Sequence, residues 1–368
     1  MKWLCAGLLA LHGLIHFLGL AKALAPGRLP QFTQAVSRPQ GLLWMAAGLL
    51  LLAAAGLLAA GQRAWWLPGL AGVVLSQGLI FSTWRDARFG TVANLLLLPI
   101  LLYGLASLGP WGFRAEYLRQ VRGRLARPAI ATPVAAGELS ALPRPLRCYL
   151  EQAGVVGRER VHHFRARWRG RIRGGPDQPW MEFTAEQYNF VAEPARFFFM
   201  RARRGGLPVE VLHAFSGGAA IMRVRLLASI PLVDASGPEL TRAETVTLFN
   251  DLCLLAPAAL LDPGINWEEL DERSVRGRYT VGANTISAVL HFNERCELVD
   301  FVSDDRLAAS ADGRRFTPKR WSTPVEAYRR FGPWRLFSRG RGLWHDRQGE
   351  YAYFEAELLD LQVNGPAP

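Results

Sequence analysis

The apolar and charged residues of one stretch, residues 160–204, alternate with a period of two. Even-numbered positions from Phe164 to Ile172 are apolar or small, whereas odd-numbered positions carry a row of arginines: Arg165, Arg167, Arg169, Arg171 and Arg173. Because successive side chains of a strand point to opposite faces, this pattern predicts a strand with one buried face and one charged face. Turn residues at 174–177 and two further alternating runs, from Trp180 and from Phe197, predict an antiparallel meander.

Four long apolar segments precede this meander, at residues 3–24, 41–60, 64–83 and 91–108. Each has about the 20 residues that a helix needs to cross a bilayer. Only a helix satisfies its own backbone hydrogen bonds in lipid, and aromatic residues near several segment ends are typical of membrane interfaces. The pattern therefore predicts a four-helix transmembrane unit over residues 1–110, in which the first segment is a span and not a cleaved leader.

The rest of the chain is predicted to be mostly antiparallel β with one helix. Apolar residues recur at spacings of three and four from Leu240 to Cys253, which predicts an amphipathic helix at about 239–256. We expect its polar residues Glu244, Asn250 and Asp251 to be solvated or to cap the helix. The predicted fold class is thus four transmembrane helices plus an antiparallel β domain at 145–368, forming a curved sheet or half-barrel with one covering helix.

The chain as a whole is basic. The 368 residues contain 43 Lys and Arg against 31 Asp and Glu, a net charge of +12. A basic, Pro- and Ala-rich linker is predicted at 111–144, and its arginines are candidates for binding anionic lipid headgroups: Arg114, Arg119, Arg122, Arg124 and Arg127. The β domain is only modestly basic, so we expect membrane lipids and no nucleic acid as partners.

Flanking charge gives a prediction for the side of the membrane. With four spans, seven basic residues lie on the side of the β domain and five on the other, which favours a cytoplasmic β domain. The chain has four cysteines, none in a CxxC pair: Cys5, Cys148, Cys253 and Cys296. The three in the β domain could form at most one disulfide, and we interpret them as buried free thiols, which agrees with a reducing compartment.

The first apolar segment carries His12 and His16 on one helical face with Cys5, Gly19 and Ala23. Small and polar residues on one stripe serve helix packing and interhelical hydrogen bonds in membranes. The alternative is a metal, haem or proton-transfer role for the two histidines. No carboxylate in the apolar segments completes a metal site, so no metal or other cofactor is predicted, and His12 and His16 are the only candidate ligands.

Motifs for hydrolases, phosphate loops, dinucleotide binding and HExxH zinc sites are absent from the sequence. Glu182 and Glu186 are interpreted as cross-strand partners of the arginine row. The least implausible acid–base pair for an enzyme is Glu186 with His213, because a carboxylate beside a histidine is a recurrent arrangement for proton transfer.

Several stretches of the sequence resemble an uncharacterised bacterial membrane family known only as a domain of unknown function. They include HGLIHFLGLAKAL, SRPQGLLWMAAGLL, LPRPLRCYLEQAGVVG, WMEFTAEQYNF, LLAPAALLDPGINWEELD and WSTPVEAYRRFG. The family implies no activity. The order of meander, helix and further strands is also similar to the half-barrel of periplasmic lipoprotein carriers, which hold an acyl chain between a bent sheet and covering helices.

The resemblance to lipoprotein carriers implies a ligand site and a periplasmic location. An aromatic row would line the concave face of such a sheet: Trp168, Phe183, Phe199 and Phe215. The alternative is that these aromatics only fill the core. We therefore predict a membrane-tethered module that binds a lipid or another apolar ligand. Two alternatives stay open, an enzyme acting on a membrane substrate and a haem- or metal-binding membrane unit with an accessory β domain.

Overall fold

The computed structural model describes residues 2–126 and 132–367, and its contacts divide the chain into two units, Met1–Glu116 and Tyr117–Pro368. We call them the helical unit and the β unit. Within the described residues the α-helices are α1 Lys2–Leu24, α2 Arg38–Ala59, α3 Trp66–Ser82, α4 Trp84–Ala87, α5 Gly90–Leu108, α6 Phe113–Leu125, α7 Arg144–Ala153 and α8 Pro238–Leu255.

Each of the four predicted apolar segments forms a helix, but the helices differ in length. In the described part of the chain, three are long and apolar enough to cross a membrane: α1, α2 and the segment Gly90–Leu125. Helix α3 has 17 residues, because the chain first turns at Gly61, with φ 73°, and the helix begins only at Trp66. Three candidate spans are therefore present, together with one shorter apolar helix.

Small residues bring α1 and α2 into close contact. A Cβ on Gly13 would lie 2.9 Å from the carbonyl oxygen of Gly48, and one on Gly48 would lie 2.8 Å from the carbonyl oxygen of Gly13. A Cβ on Gly19 would collide with the indole of Trp44 at 2.3 Å. Close helix contacts through small residues are typical of membrane helices, because apolar side chains gain little by leaving lipid.

The β unit is built on one large antiparallel sheet. In the described residues its strands and those of two small hairpins are β1 His163–Ile172, β2 Met181–Phe190, β3 Ala195–Arg204, β4 Leu207–Ser216, β5 Ala219–Leu226, β6 Ile230–Ser236, β7 Ile265–Asp271, β8 Ser274–Val281, β9 Asn284–Phe292, β10 Leu298–Ser303, β11 Leu307–Ala309, β12 Phe316–Pro318, β13 Trp321–Ser322, β14 Val325–Glu326, β15 Arg329–Phe331, β16 Trp334–Leu336, β17 Arg339–Asp346 and β18 Gly349–Val363. The large sheet has the order β6-β5-β4-β3-β2-β1-β18-β17-β13-β10-β9-β8-β7, and β14 pairs with β17. The predicted antiparallel β architecture is confirmed.

Helix α8 is the centre of the core of the β unit. Phe249, which is fully buried, packs its ring against Trp267, Tyr279 and Phe301, with centroids 5.9, 5.1 and 5.7 Å away. A Cβ on Gly277 of β8 would lie 2.7 Å from the Phe249 ring, so glycine is needed for this close approach. The helix lies within one residue of its predicted bounds at each end.

Two of the cysteines form a disulfide. Cys148 on α7 bonds to Cys296 in the turn between β9 and β10, with 5.6 Å between their Cα atoms, while Cys5 and Cys253 are free. The expectation of free thiols is therefore wrong for this pair. The two cysteines are 148 residues apart, and only the packing of α7 on the β unit brings them together. Local sequence patterns do not report such a contact.

Candidate functional site

One face of the sheet from β1 to β5 faces α8, and we call it the covered face. Directly opposite residues of paired strands share a face, and the register Trp168–Ala185–Met200–Val211–Val224 follows it from β1 to β5. Where α8 crosses this face, polar side chains of helix and sheet meet. Beyond the helix the face is apolar. The two regions are described in turn.

The polar region contains a buried group of charged side chains, which we call the ionic cluster: Arg196, His213, Glu244, Asp251 and Arg306. Glu244, near the middle of α8, is 3% exposed. One of its carboxylate oxygens lies 3.5 Å from both Arg196 Nη1 and His213 Nδ1, and the other accepts a hydrogen bond from Arg306 Nη2 at 3.1 Å. Three basic side chains therefore converge on one carboxylate.

The surroundings of Glu244 favour its ionised form. Burial opposes ionisation of this carboxyl, but the charges of Arg306, His213 and Arg196 and a hydrogen bond from His213 outweigh burial and hold its pKa well below the usual range. The ionic cluster sets two acids, Glu244 and Asp251, against two arginines, Arg196 and Arg306. Such a balance is what allows buried charges to be retained at all.

Asp251 connects the ionic cluster to the sheet, about two turns further along α8 than Glu244. One of its oxygens accepts hydrogen bonds from Arg196 Nε at 2.7 Å, from Gln187 Nε2 at 3.0 Å and from Asn189 Nδ2 at 3.2 Å. Gln187 in turn accepts a hydrogen bond from Trp168 Nε1 at 2.9 Å. The network fixes the position of α8 on β1, β2 and β3 and orients the Trp168 indole.

The expectation that Glu244, Asn250 and Asp251 are solvated or cap the helix is wrong, because all three are buried. Asn250 accepts a hydrogen bond from Thr323 Oγ1 at 2.6 Å. Every residue of α8 from Leu240 to Leu255 is buried except Arg242. Because α8 is buried on nearly all sides, its polar side chains need hydrogen-bond partners inside the protein. The apolar spacing of the sequence predicts only one buried stripe and so places these side chains in solvent.

Arg306 contacts the Glu244 carboxylate oxygen that Arg196 and His213 do not contact. Its guanidinium is 5.3 Å from the ring centroid of Trp321, whose Nε1 donates a hydrogen bond to the Tyr353 hydroxyl at 3.1 Å. Burial raises the pKa of Tyr353, so this hydroxyl stays protonated and neutral. Arg306 Nε is buried and has no hydrogen-bond partner among the described residues.

The apolar region of the covered face is a cluster that we call the apolar patch. Its buried members are Phe183, Ala185, Phe198, Met200, Ala202, Val209, Val211 and Ala356. Every one comes from a strand, from β2, β3, β4 or β18, and none comes from α8. Trp168 packs against both this patch and the main core around α8. The apolar patch is thus a cluster of buried strand side chains, separate from the main core around α8.

The predicted aromatic row is divided by the structure. Trp168, Phe183 and Phe215 lie on the covered face, with Phe183 in the apolar patch and Phe215 in the main core. Phe199 is on the opposite face, because it stands directly across from Glu186, and its ring packs against Tyr117 at a centroid distance of 6.0 Å. The expectation that all four line one face is therefore wrong for Phe199, whose strand register was not fixed by its own sequence pattern.

The predicted acid–base pair is not formed. Glu186 lies on the face opposite the covered face, where its carboxylate accepts a hydrogen bond from Arg165 Nη2 at 2.7 Å. His213 lies on the covered face beside Glu244 and Phe198. The structure therefore brings His213 together with a carboxylate that sequence analysis had assigned to solvent. The contact between His213 and Glu244 could not be predicted from the sequence, because it depends on the register of the strands.

The arginine row forms cross-strand ion pairs on the face opposite the covered face. Arg169 pairs with Glu357 and Arg171 with Glu355, each at 2.7 Å. Glu182 stands directly opposite Arg171 in the strand register. The expected pairing with acids of the next strand holds for Glu186, and most of the remaining partners come from β18, the last strand of the chain.

The linker arginines have mixed positions. Arg124, at the end of α6 and within the β unit, donates hydrogen bonds to the carbonyl oxygen of Glu193 at 3.0 Å and to Ser216 Oγ at 2.9 Å. Arg119 and Arg122 are exposed and Arg114 is half-buried. Arg127 lies outside the described residues. A headgroup role for these arginines stays a prediction.

His12 and His16 lie together inside the helical unit, with ring centroids 4.6 Å apart. His12 Nε2 bonds to Asn94 Oδ1 at 2.9 Å, and His16 Nδ1 bonds to the carbonyl oxygen of His12 at 2.7 Å. Within residues 2–126 and 132–367 no group of three or more His, Cys, Asp or Glu side chains is arranged to hold a metal ion. The interhelical hydrogen bond of His12 is the kind of contact that the packing interpretation predicts.

Comparison with known proteins adds a family and two distant structures. Residues 132–356 match the profile of a family of unknown function, DUF6544. An outer membrane lipoprotein-sorting domain, so described, from Vibrio parahaemolyticus shares 11% identity over 59% of this chain and 91% of its own, with a TM-score of 0.32. A DUF1329 family protein from Desulfovibrio piger shares 12% identity over 60% and 91%, with a TM-score of 0.35. Both scores are too low to support a conclusion about function. No curated protein matches the chain.

Proposed function

This chain belongs to the DUF6544 family of unknown function, and we propose that it is a membrane-anchored module whose β unit binds an apolar ligand on the apolar patch. The observation that carries the proposal is the composition of that patch. It is a contiguous apolar cluster formed by strands alone, on the same face of the sheet that Asp251 of α8 contacts. Sites for small apolar molecules combine such walls with a few fixed polar groups.

Membrane anchoring is supported by the outward side chains of the helical unit. Large apolar residues on three of its helices are strongly exposed, among them Leu11 at 59%, Val74 at 72% and Leu95 at 62%. Water-soluble proteins rarely expose contiguous apolar surfaces of this kind. We propose that α1, α2, α3 and α5 all cross the bilayer, with α3 as the shortest span.

The proposed ligand is an acyl chain, because the apolar patch offers only hydrocarbon and aromatic contacts. Its walls include the stacked rings of Phe183 and Phe354, 5.1 Å apart, and the side chains of Met200 and Val211. At the α8 end the Trp168 indole is held by Gln187, and His213 is 21% exposed in its side chain. These polar groups mark the end of the apolar surface. We also propose that the sheet closes around α8 as a half-barrel, since α8 contacts strands from both ends of the strand order.

The test uses cis-parinaric acid, a fluorescent fatty acid, with the full-length protein held in amphipol. Val211→Thr keeps the shape of a patch side chain and adds a buried hydroxyl. Thr184→Val makes the reverse change on the opposite face of β2. We expect the native protein to bind the probe, Val211→Thr to weaken binding roughly three- to tenfold and Thr184→Val to leave it unchanged. No saturable binding by the native protein, or equal effects of the two variants, would refute the proposal.

A disulfide also bears on the side of the membrane. Structural disulfides persist in oxidising compartments and are rare in the cytosol of mesophiles. The Cys148–Cys296 bond removes the argument from free thiols, which had favoured the cytoplasm. Flanking charge alone is a weak guide, because long domains cross membranes largely regardless of it. We propose that the β unit faces an oxidising, extracytoplasmic compartment.

A further inference from the structure

Three hairpin turns of the large sheet lie at the same end of their strands, which we call the hairpin end. They join β1 to β2, β3 to β4 and β5 to β6, and these three strand pairs are consecutive in the strand order. In an antiparallel meander every second turn falls at the same end of the sheet. The last two turns are in direct contact, because the Leu227 amide donates a hydrogen bond to the carbonyl oxygen of Pro208 at 2.9 Å.

The hairpin end exposes large apolar side chains. Leu207, at the start of β4, is 47% exposed, and Ile230, at the start of β6, is 48% exposed. Ile230 stands directly opposite Leu226, which stands opposite Val209 of the apolar patch. The apolar row of the covered face therefore continues to the edge of the sheet and becomes exposed there. Single exposed apolar side chains are ordinary, but a contiguous group of them indicates an interaction surface.

Basic and aromatic side chains flank these apolar residues. The three turns with their flanks, residues 173–180, 203–207 and 226–230, contain three arginines and a single acid, Asp177. Arg203 and Arg204 are exposed, and within the described residues neither forms an ion pair. The guanidinium of Arg173 lies 4.5 Å from the ring centroid of Trp180. Arginine and tryptophan beside exposed apolar side chains are typical of surfaces that contact a membrane interface.

The opposite end of the same strands is occupied. There Arg124 of α6 donates hydrogen bonds to the carbonyl oxygen of Glu193, in the β2–β3 turn, and to Ser216 Oγ, at the end of β4. At the hairpin end the exposure of Leu207 and Ile230 shows that no described part of the chain covers them. Unpaired arginines favour an anionic partner, and a lipid surface offers anionic headgroups above an apolar layer.

We propose that the hairpin end is a membrane-contact surface. Leu207 and Ile230 enter the headgroup region of an anionic lipid bilayer, and Arg203 and Arg204 pair with its phosphates. The apolar side chains leave water, and the arginines are drawn to the negative surface potential of the lipid. This proposal rests on the proposed membrane anchoring, but it requires no ligand on the apolar patch.

The experiment places a fluorescent nitrobenzoxadiazole probe at the hairpin end of the full-length protein in nanodiscs. The probe is attached through Ser229→Cys, an exposed position of the β5–β6 turn, and Cys5→Ser removes a native thiol that is not buried. Free Cys253 is buried and stays unlabelled in the folded protein. The control attaches the probe through Ala192→Cys, an exposed position of the β2–β3 turn at the other end of the sheet.

A doxyl-labelled lipid, which quenches the probe only at close range, reports the contact. Discs and added vesicles have the same composition, phosphatidylcholine with phosphatidylglycerol and the doxyl lipid, so every bilayer in the sample carries the quencher. We expect strong quenching of the probe at residue 229 and weak quenching at residue 192. Omission of the anionic phosphatidylglycerol should reduce the quenching at residue 229, because the arginines then lose their partners.

Variants assign the contact to its residues. Arg203→Gln and Arg204→Gln should each lower the ratio of contacting to free molecules about fivefold, as the loss of one basic residue near an anionic surface predicts. Leu207→Ser should lower it by a similar factor, since less apolar surface leaves water. Arg158→Gln, which removes an exposed arginine before β1 and away from the hairpin end, is the matched control and should leave the ratio unchanged.

The outcomes separate this contact from the membrane anchoring. Equal quenching at residues 229 and 192 would overturn the proposal, and so would quenching that changes neither without phosphatidylglycerol nor in the two arginine variants. A protein that does not stay in the discs would refute the anchoring and this contact together. An unquenched probe on protein that stays in the discs would refute the contact alone.

Discussion

Glu244 is held in the middle of α8 by Arg196, His213 and Arg306, and removing its charge should be costly. Glu244→Gln leaves two buried arginines without their shared carboxylate, and such a loss costs about 3–5 kcal/mol of unfolding free energy. Thermal and chemical unfolding of the full-length protein in detergent measure the difference. Glu268→Gln is the control, because its pair with Arg276 is exposed and pairs of that kind contribute about 0–1 kcal/mol.

The effect of Glu244→Gln should depend on pH in one direction. The pKa of Glu244 is lowered in the folded protein, since the charges of Arg306, His213 and Arg196 outweigh the effect of burial. A lowered pKa contributes stability above the unfolded value of about 4.3, and this contribution is lost as the pH falls below it. The native protein and the variant should therefore differ most near neutral pH and converge in acid. A difference that stays constant from pH 7 to pH 3 would contradict the ionised assignment.

Asp300 presents the opposite case. Burial raises the pKa of this carboxyl to about 6, so its ionised form is disfavoured in the folded protein. A raised pKa in an acid lowers stability as the pH rises from the unfolded value of about 3.9 through the folded one. Asp300→Asn should therefore stabilise the protein by about 1–3 kcal/mol at pH 8 and by little at pH 4. Asp304→Asn, whose side chain is 77% exposed, should change neither value. A variant that is less stable at pH 8 would refute the assignment.

At the scale of elements, the disulfide joins α7 to the β9–β10 turn across 148 residues of sequence. Removing a disulfide from a folded domain typically costs about 2–5 kcal/mol, and replacing both Cys148 and Cys296 by serine should lower unfolding free energy by that amount. Alkylation of the denatured native protein should modify two cysteines before reduction and four after. Cys5→Ser is the control and should lower both counts by one without affecting stability. Four reactive thiols before reduction would show that the bond does not form.

The sequence predicts helices and strands that have a regular apolar pattern. It does not predict how these elements are placed against one another. Strands β1 to β3 and helix α8 follow from alternation and from apolar spacing, because each period appears in consecutive residues. The positions of Phe199 and Glu186 depend on the register between strands, which the lengths of turns decide. A one-residue difference in register reverses the face of every side chain in a strand, which is why the predicted aromatic row includes Phe199.

The ionic cluster lay beyond sequence analysis for a different reason. Its members come from β3, β4, α8 and the segment after β10, so the nearest pair along the chain is separated by several residues and the farthest by more than a hundred. Each of them is an ordinary charged residue in its own neighbourhood. Only the burial of α8 on nearly all sides turns Glu244 and Asp251 from helix surface into core. Burial of a charge is a property of the fold.

At the scale of the whole molecule, the two units present different chemistry. The helical unit exposes leucines and other apolar side chains and carries few charges, whereas the β unit exposes ion pairs such as Arg169–Glu357. Exposed apolar surface is stable in lipid and costly in water, and exposed ion pairs have the reverse preference. The proposed membrane anchor and the proposed extracytoplasmic β unit both follow from this contrast and from the disulfide.

Reporter fusions at three positions test the number of spans and the side of the β unit together. Alkaline phosphatase and green fluorescent protein are fused after residue 31 in the α1–α2 loop, after residue 62 before α3 and at the end of the full-length chain. With four crossings, residue 62 and the chain end lie on the same side, and residue 31 lies on the other. We expect phosphatase activity at residue 62 and at the chain end, with fluorescence at residue 31.

Opposite reports from residue 62 and the chain end would mean that the 17-residue α3 does not cross, since a helix of that length is at the lower limit for a span. Fluorescence without phosphatase activity at the chain end would place the β unit in the cytoplasm, and the Cys148–Cys296 bond would then have to form in a reducing compartment.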